Sequence, residues 1–117
     1  MIPLVKEIYS MENEQFKVVI PTCKEDFQVE GRMNHNCVGG TYFDKMLSGK
    51  CVVFFLRKKE NIDEALCTVE MKEDQIIQCR ATRNSMAPPE ATEFMEQLAK
   101  EVRRRIEERA KKMQVAV

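Results

Sequence analysis

The sequence predicts an α+β fold: a small antiparallel sheet packed with helices, one of them long and C-terminal. Three observations carry this. Apolar, β-branched and aromatic runs at 51–57, 66–71 and 75–81 follow one another, the last two joined by a short charged turn. Residues 89–113 carry an apolar stripe close to a 3.6-residue period: Ala91, Phe94, Met95, Leu98, Val102, Ile106, Ala110 and Met113. A 117-residue chain with 44 % apolar residues can bury one core without staples. It therefore reads as a single domain, 1–117, although the abrupt entry also suits a piece of a longer protein.

Taken in order, residues 2–9 suit a short helix, with Pro3 tolerated in the first turn and Leu4 and Ile8 on one face. Residues 16–20 read as a fourth strand closed by Pro21, and the pattern does not fix which sheet edge it joins. Residues 22–30 are ambiguous: Lys24, Glu25 and Asp26 form a turn or begin one helical turn, and Gly31 breaks whatever precedes it. A helix is expected to begin between Gly31 and Val38 and to end at Ser48 and Gly49, where glycine suits the C-terminal cap.

The run 51–57 is apolar nearly throughout, as suits a central strand covered on both faces. Period two sorts the meander into faces. One carries Val52, Phe54, Leu56, Cys67, Val69, Met71, Ile77, Cys79 and Ala81 and is the expected main core. The other carries Val53, Phe55, Arg57, Leu66, Thr68, Glu70, Ile76, Gln78 and Arg80, apolar toward one end and polar toward the other. The final helix opens at Pro89; its acids lie early and Lys111 and Lys112 late, the order the helix dipole favours. A helix of about 25 residues spans about 37 Å and a six-residue strand about 20 Å. The stripe through Val102, Ile106 and Met113 is thus expected to overhang the sheet as an interaction edge for a protein partner or a second copy.

Composition excludes several classes. Formal net charge is zero, which does not describe a dedicated nucleic-acid binder. No run is long enough to span a bilayer and nothing in 1–9 reads as a signal peptide, so a cytoplasmic setting is the expectation. The five cysteines are spaced by 14, 14, 16 and 12 residues, without close pairs. That argues for reduced thiols, mostly core residues, and against a zinc knuckle. No cofactor or metal is implied. Glycine-rich phosphate loops, His-Glu-x-x-His and Gly-x-Ser-x-Gly are absent from the sequence.

Three places could carry chemistry. The stretch 31–42 holds His35, Cys37, Tyr42 and three glycines. His35 could serve as base to a Cys37 nucleophile only in an extended or looped segment, because helical geometry separates residues two apart. Support would come from Glu70 or Asn84; a metal role would need ligands such as Cys23 or Glu30. The bland alternative buries Cys37 and leaves His35 pinning a loop. Secondly, Arg57, Glu70 and Gln78 share a sheet face, where Arg57 and Glu70 form a natural ion pair that Gln78 can join. Thirdly, Lys100, Arg103, Arg104 and Lys111 share much of one side of the last helix and could meet phosphates, although a solvated, ion-paired surface is the commoner use of such a pattern.

Beyond these physical readings, the residues 26–31, 33–39, Tyr42, Gly49, 55–57, 68–70, Gln78 and Asn84 together resemble the PcfJ-like domain of mobile-element proteins. The resemblance covers 20–90. It implies a setting in conjugative plasmids, phages and related bacterial elements, and it implies no particular activity. Family members often carry two adjacent histidines before the cysteine, where this chain has His35 and Asn36, or Asn34 and His35, depending on the alignment. The matched Cys37, Tyr42, Arg57, Thr68, Glu70, Gln78 and Asn84 coincide with the polar group reached by strand parity. The combined expectation is a non-catalytic accessory or protein-interaction domain, with a Cys37-dependent enzyme and a nucleic-acid-binding tail as alternatives.

Overall fold

The computed structural model describes residues 2–34, 42–81 and 85–115. Helix α1 (Ile2–Tyr9) precedes strand β1 (Phe16–Val19); helices α2 (Lys24–Asn34) and α3 (Tyr42–Leu47) follow. Strands β2 (Val52–Lys58), β3 (Cys67–Lys72) and β4 (Gln75–Arg80) then form the meander, with a single 3-10 turn (Lys59–Asn61) after β2. Helix α4 (Pro89–Val115) closes the described chain. The sheet is antiparallel throughout, in the order β1-β2-β3-β4. The α+β architecture is the expected one, and β1 takes the free edge of β2.

Strand parity is obeyed through most of the sheet. Phe54 lies opposite Val69 and Val69 opposite Cys79, so the predicted register holds there. Phe54, Leu56, Cys67, Val69 and Met71 are buried on the face that also carries Phe16 and Val18. Helices α1 and α4 cover it. Phe16 meets Phe94 at 5.7 Å between ring centroids and Tyr9 meets Phe54 at 6.2 Å. Ala91, Met95, Leu98 and Val102 complete the buried stripe of α4. The opposite face, carrying Val53 and Phe55, is covered by α2 and α3: Phe27 makes edge contacts with both Phe55 and Phe43. The sheet is thus the middle of three layers.

Two expectations fail here for local reasons. Helix α2 is a full helix of 11 residues and passes through Gly31 instead of ending there. Its start is fixed by Asp26, whose carboxylate accepts from the Thr22 backbone N–H at 2.9 Å and the Thr22 hydroxyl at 3.2 Å. The backbone amide holds that carboxyl below the ordinary aspartate range. Its inner stripe is Phe27, Glu30 and Gly31, all buried. With one charged residue and one bare backbone in that stripe, a hydrophobicity pattern has little to find. The second failure is Ile77, expected in the core and 53 % exposed. Gln78 pairs with Glu70, and the next pair is Ile76 with Met71, so Ile77 is an extra residue inserted as a β-bulge.

Helix α3 ends as predicted. Gly49 sits at φ 79°, a backbone shape that costs glycine little. Its N–H donates to the Met46 carbonyl at 3.1 Å and the Lys50 N–H to the Lys45 carbonyl at 3.1 Å. These are the two bonds of a Schellman ending.

Candidate functional site

The sheet face under α2 and α3 holds two polar groups, one on each side of the Phe27, Phe43 and Phe55 rings. The first lies on β3 and β4. Glu70 and Gln78 are direct cross-strand partners, and Tyr42 opens α3 above them. The Gln78 amide donates to the Tyr42 hydroxyl at 3.0 Å and, at a long 3.5 Å, to a Glu70 carboxylate oxygen. Cys51, just before β2, is buried beside Glu70. Burial, and next the Glu70 charge and its hydrogen bond to the thiol, push that thiol up, away from the reactive thiolate. Lys45 lies over the Tyr42 ring at 4.9 Å from its centroid. Thr68 belongs to the same face, directly between Phe55 and Arg80 in register.

The second group corrects an expected pairing. Arg57 does not meet Glu70. Glu70 lies opposite Val53, four residues along β2 from Arg57, or about 13 Å at the usual rise per residue. Arg57 instead donates to Glu30 of α2 at 2.6 Å, and to the Ile62 carbonyl at 3.0 Å. The Glu30 side chain is 1 % exposed and the Arg57 side chain 17 %. Burial raises the Glu30 carboxyl above its ordinary value, against the opposing pull of Arg57. The contact is one-point: among the described residues, Glu30 Oε2 and Arg57 Nε have no hydrogen-bond partner. The sequence offered Glu30 as part of the family pattern and as a possible metal ligand, not as the partner of Arg57. Its signal in the sequence is its position three residues after Phe27, which places it on the buried face of α2.

His35, Cys37 and Asn84 lie outside the described residues. Of the other expected site residues, Tyr42, Glu70 and Gln78 are brought together, Thr68 flanks them, and Arg57 is separate. Four described cysteines are free: Cys51 and Cys67 are buried, Cys79 is half-buried and Cys23 is exposed. Among the described residues, no group of three or more His, Cys, Asp and Glu could hold a metal ion. No described helix is long and apolar enough to cross a membrane.

The arginines of the basic helix are held by carboxylates of α4 itself and of neighbouring elements. Arg103 donates to Asp74 at 2.6 Å, tying α4 to the β3–β4 turn. Arg104 meets Glu101 at 2.6 Å and Glu108 at 2.7 Å. Hydrogen bonding to Arg104 brings the Glu101 carboxyl down to about 2. Two of the four residues expected to meet phosphates, Arg103 and Arg104, are therefore already held; Lys100 and Lys111 are exposed.

The expected interaction edge of α4 divides. Val102 is fully buried and Ile106 is half-buried against the core, while Met113 is 63 % exposed. What covers the overhang is α1. Arg105 donates to the Ile8 carbonyl at 3.0 Å and the Ser10 carbonyl at 2.6 Å, satisfying groups left open at the end of α1. Arg109 meets Glu7 at 3.3 Å. A groove of about 330 Å³ remains between the two helices, lined by Ile8, Met113 and charged residues including Glu7, Glu108, Arg109 and Lys112.

Comparison with known proteins adds a relationship. The chain is 32 % identical over 72 residues to the "Uncharacterized protein Lin1253/Lin1744" of Listeria innocua serovar 6a. That match covers 61 % of this chain and 16 % of the relative, so the chain corresponds to a small part of a much longer protein. No solved structure matches it. The family model for "PcfJ-like protein" matches residues 4–98, a span from α1 into α4 that includes both polar groups. The chain belongs to the PcfJ-like protein family.

Proposed function

We propose that this chain is a non-catalytic accessory domain of a bacterial mobile-element protein and works by binding another protein. The observation that carries this reading is how the described polar residues of the family pattern are used. Arg57 is spent on Glu30, and Gln78 on Tyr42 and Glu70, beneath α2 and α3. Such groups fix the helices on the sheet; they do not present a converging set of donors to a substrate. The surface better suited to a partner is the groove between α1 and the second half of α4. Its apolar floor at Ile8 and Met113 and its mixed charged rim suit an amphipathic helix.

The test is affinity capture from bacteria carrying the parent element. Wild type is compared with an Ile8→Glu/Met113→Glu double variant and with Cys37→Ala. The reading expects one defined partner that the double variant loses and Cys37→Ala retains. If the double variant performs normally in the element's biology and Cys37→Ala alone abolishes it, a thiol-dependent activity replaces this proposal.

A further inference from the structure

The outer edge of β4 carries an unusual combination. Ile76 is 37 % exposed, Ile77 53 % and Met86 84 %. The edge of β1 is closed by the chain itself: Glu12 bridges Lys17, and the Val18 N–H donates to the Met11 carbonyl at 3.0 Å. Among the described residues, the edge of β4 is closed in that way only at Arg80 and Ala81, through the Met86 bridge and a 2.9 Å bond to Ser85. An open, apolar strand edge is a template for another strand.

The sequence of this edge selects its partner. Residues 73–80 read Glu-Asp-Gln-Ile-Ile-Gln-Cys-Arg. Run antiparallel against itself about the Ile76–Ile77 bond, this segment sets Ile76 against Ile77 and Gln75 against Gln78, short of Arg80, whose edge Met86 already occupies. A two-fold axis between such strands stands perpendicular to the sheet, so paired residues must lie on the same face. In a regular strand Ile76 and Ile77 would be on opposite faces and this register would be forbidden. The bulge removes the obstacle. Gln75 pairs with Lys72 and Gln78 with Glu70, so both glutamines share one face. Ile76 pairs with Met71 on the other face, and Ile77, next to Gln78, alternates onto that same side. The face pattern is then symmetric about the Ile76–Ile77 bond. A bulged edge fits a regular foreign strand poorly; a second copy carries the matching bulge and pairs with it one to one.

We propose that β4 is a self-association edge: two copies of the chain join antiparallel through residues 75–78, Ile76 against the partner's Ile77 and Gln75 against the partner's Gln78. This surface is separate from the α1–α4 groove, and the inference does not depend on the function proposed there. The paired stretch is short, so the dimer is weak, with a dissociation constant on the order of 100 µM.

Sedimentation velocity of the full chain from about 10 µM to about 1 mM tests it. The expected result is a weight-average mass rising toward twice the monomer. Ile77→Lys should abolish the rise while leaving the far-ultraviolet circular dichroism and thermal melt unchanged. A wild type that stays monomeric throughout overturns the proposal. So does a dimer indifferent to Ile77→Lys, or one lost instead on Met113→Glu.

Discussion

Replacing Arg57 by methionine should be among the most damaging single changes this fold can suffer. The substitution keeps much of the side-chain volume but leaves the Glu30 carboxylate, 1 % exposed, without the guanidinium that now touches it at 2.6 Å. Removing one partner of a buried ion pair costs about 3–5 kcal/mol, a large share of the 5–15 kcal/mol typical of a domain this size. The cost should depend on pH. Burial already raises the Glu30 carboxyl, and losing Arg57 removes what opposes that rise. A carboxyl with its folded value raised contributes stability fully present below its unfolded value, lost as pH rises through the folded value. The variant should therefore be closer to wild type near pH 4 than near pH 7. Replacing both residues, Glu30→Leu with Arg57→Met, removes charge and partner together and should recover to within about 1 kcal/mol of wild type. Urea denaturation followed by circular dichroism at both pH values reads all three variants. The reasoning fails if Arg57→Met costs under about 1 kcal/mol near neutrality, or if the double variant is as unstable as the single one.

Other substitutions separate core from surface. Val102→Glu should prevent folding, because Val102 has no exposed surface, whereas Met113→Glu should leave the melting temperature nearly unchanged; a thermal melt of each decides. Gly49→Ala should cost about 1 kcal/mol at its φ of 79°, read as a shift in the urea midpoint, and no shift would contradict the Schellman geometry. Tyr9 donates to the Glu73 carbonyl at 2.9 Å, and burial pushes its phenol up to about 12. With the folded value above the unfolded one, that stability is intact below pH ~10 and fades as pH climbs toward ~12, by at most roughly 2–3 kcal/mol. An ultraviolet tyrosine titration of wild type against Tyr9→Phe should show the high-pH transition vanish, and an ordinary titration of both tyrosines would refute the burial argument.

What the sequence by itself determined is what local chemistry encodes. The meander follows from apolar runs with a charged turn between β3 and β4, and parity places Val69 and Cys79 on one face. The stripe from Ala91 to Val102 names the face of α4 that meets the core, and Gly49 marks the end of α3. Tertiary structure decided everything that depends on distance between segments remote in sequence. Parity puts Arg57 and Glu70 on one face but says nothing of their separation along the strands, so the ion pair went to Glu30, which a helix the pattern barely reveals delivers from across the layer. The bulge at Ile77 depends on how β3 and β4 accommodate each other, since one inserted residue reverses the faces beyond it. The overhang of α4 was real in length, yet Val102 is buried and α1 lies along the helix beyond it, held by Arg105 on the carbonyls of Ile8 and Ser10. Periodicity tells a residue which way to point; only the packed chain supplies what it meets there.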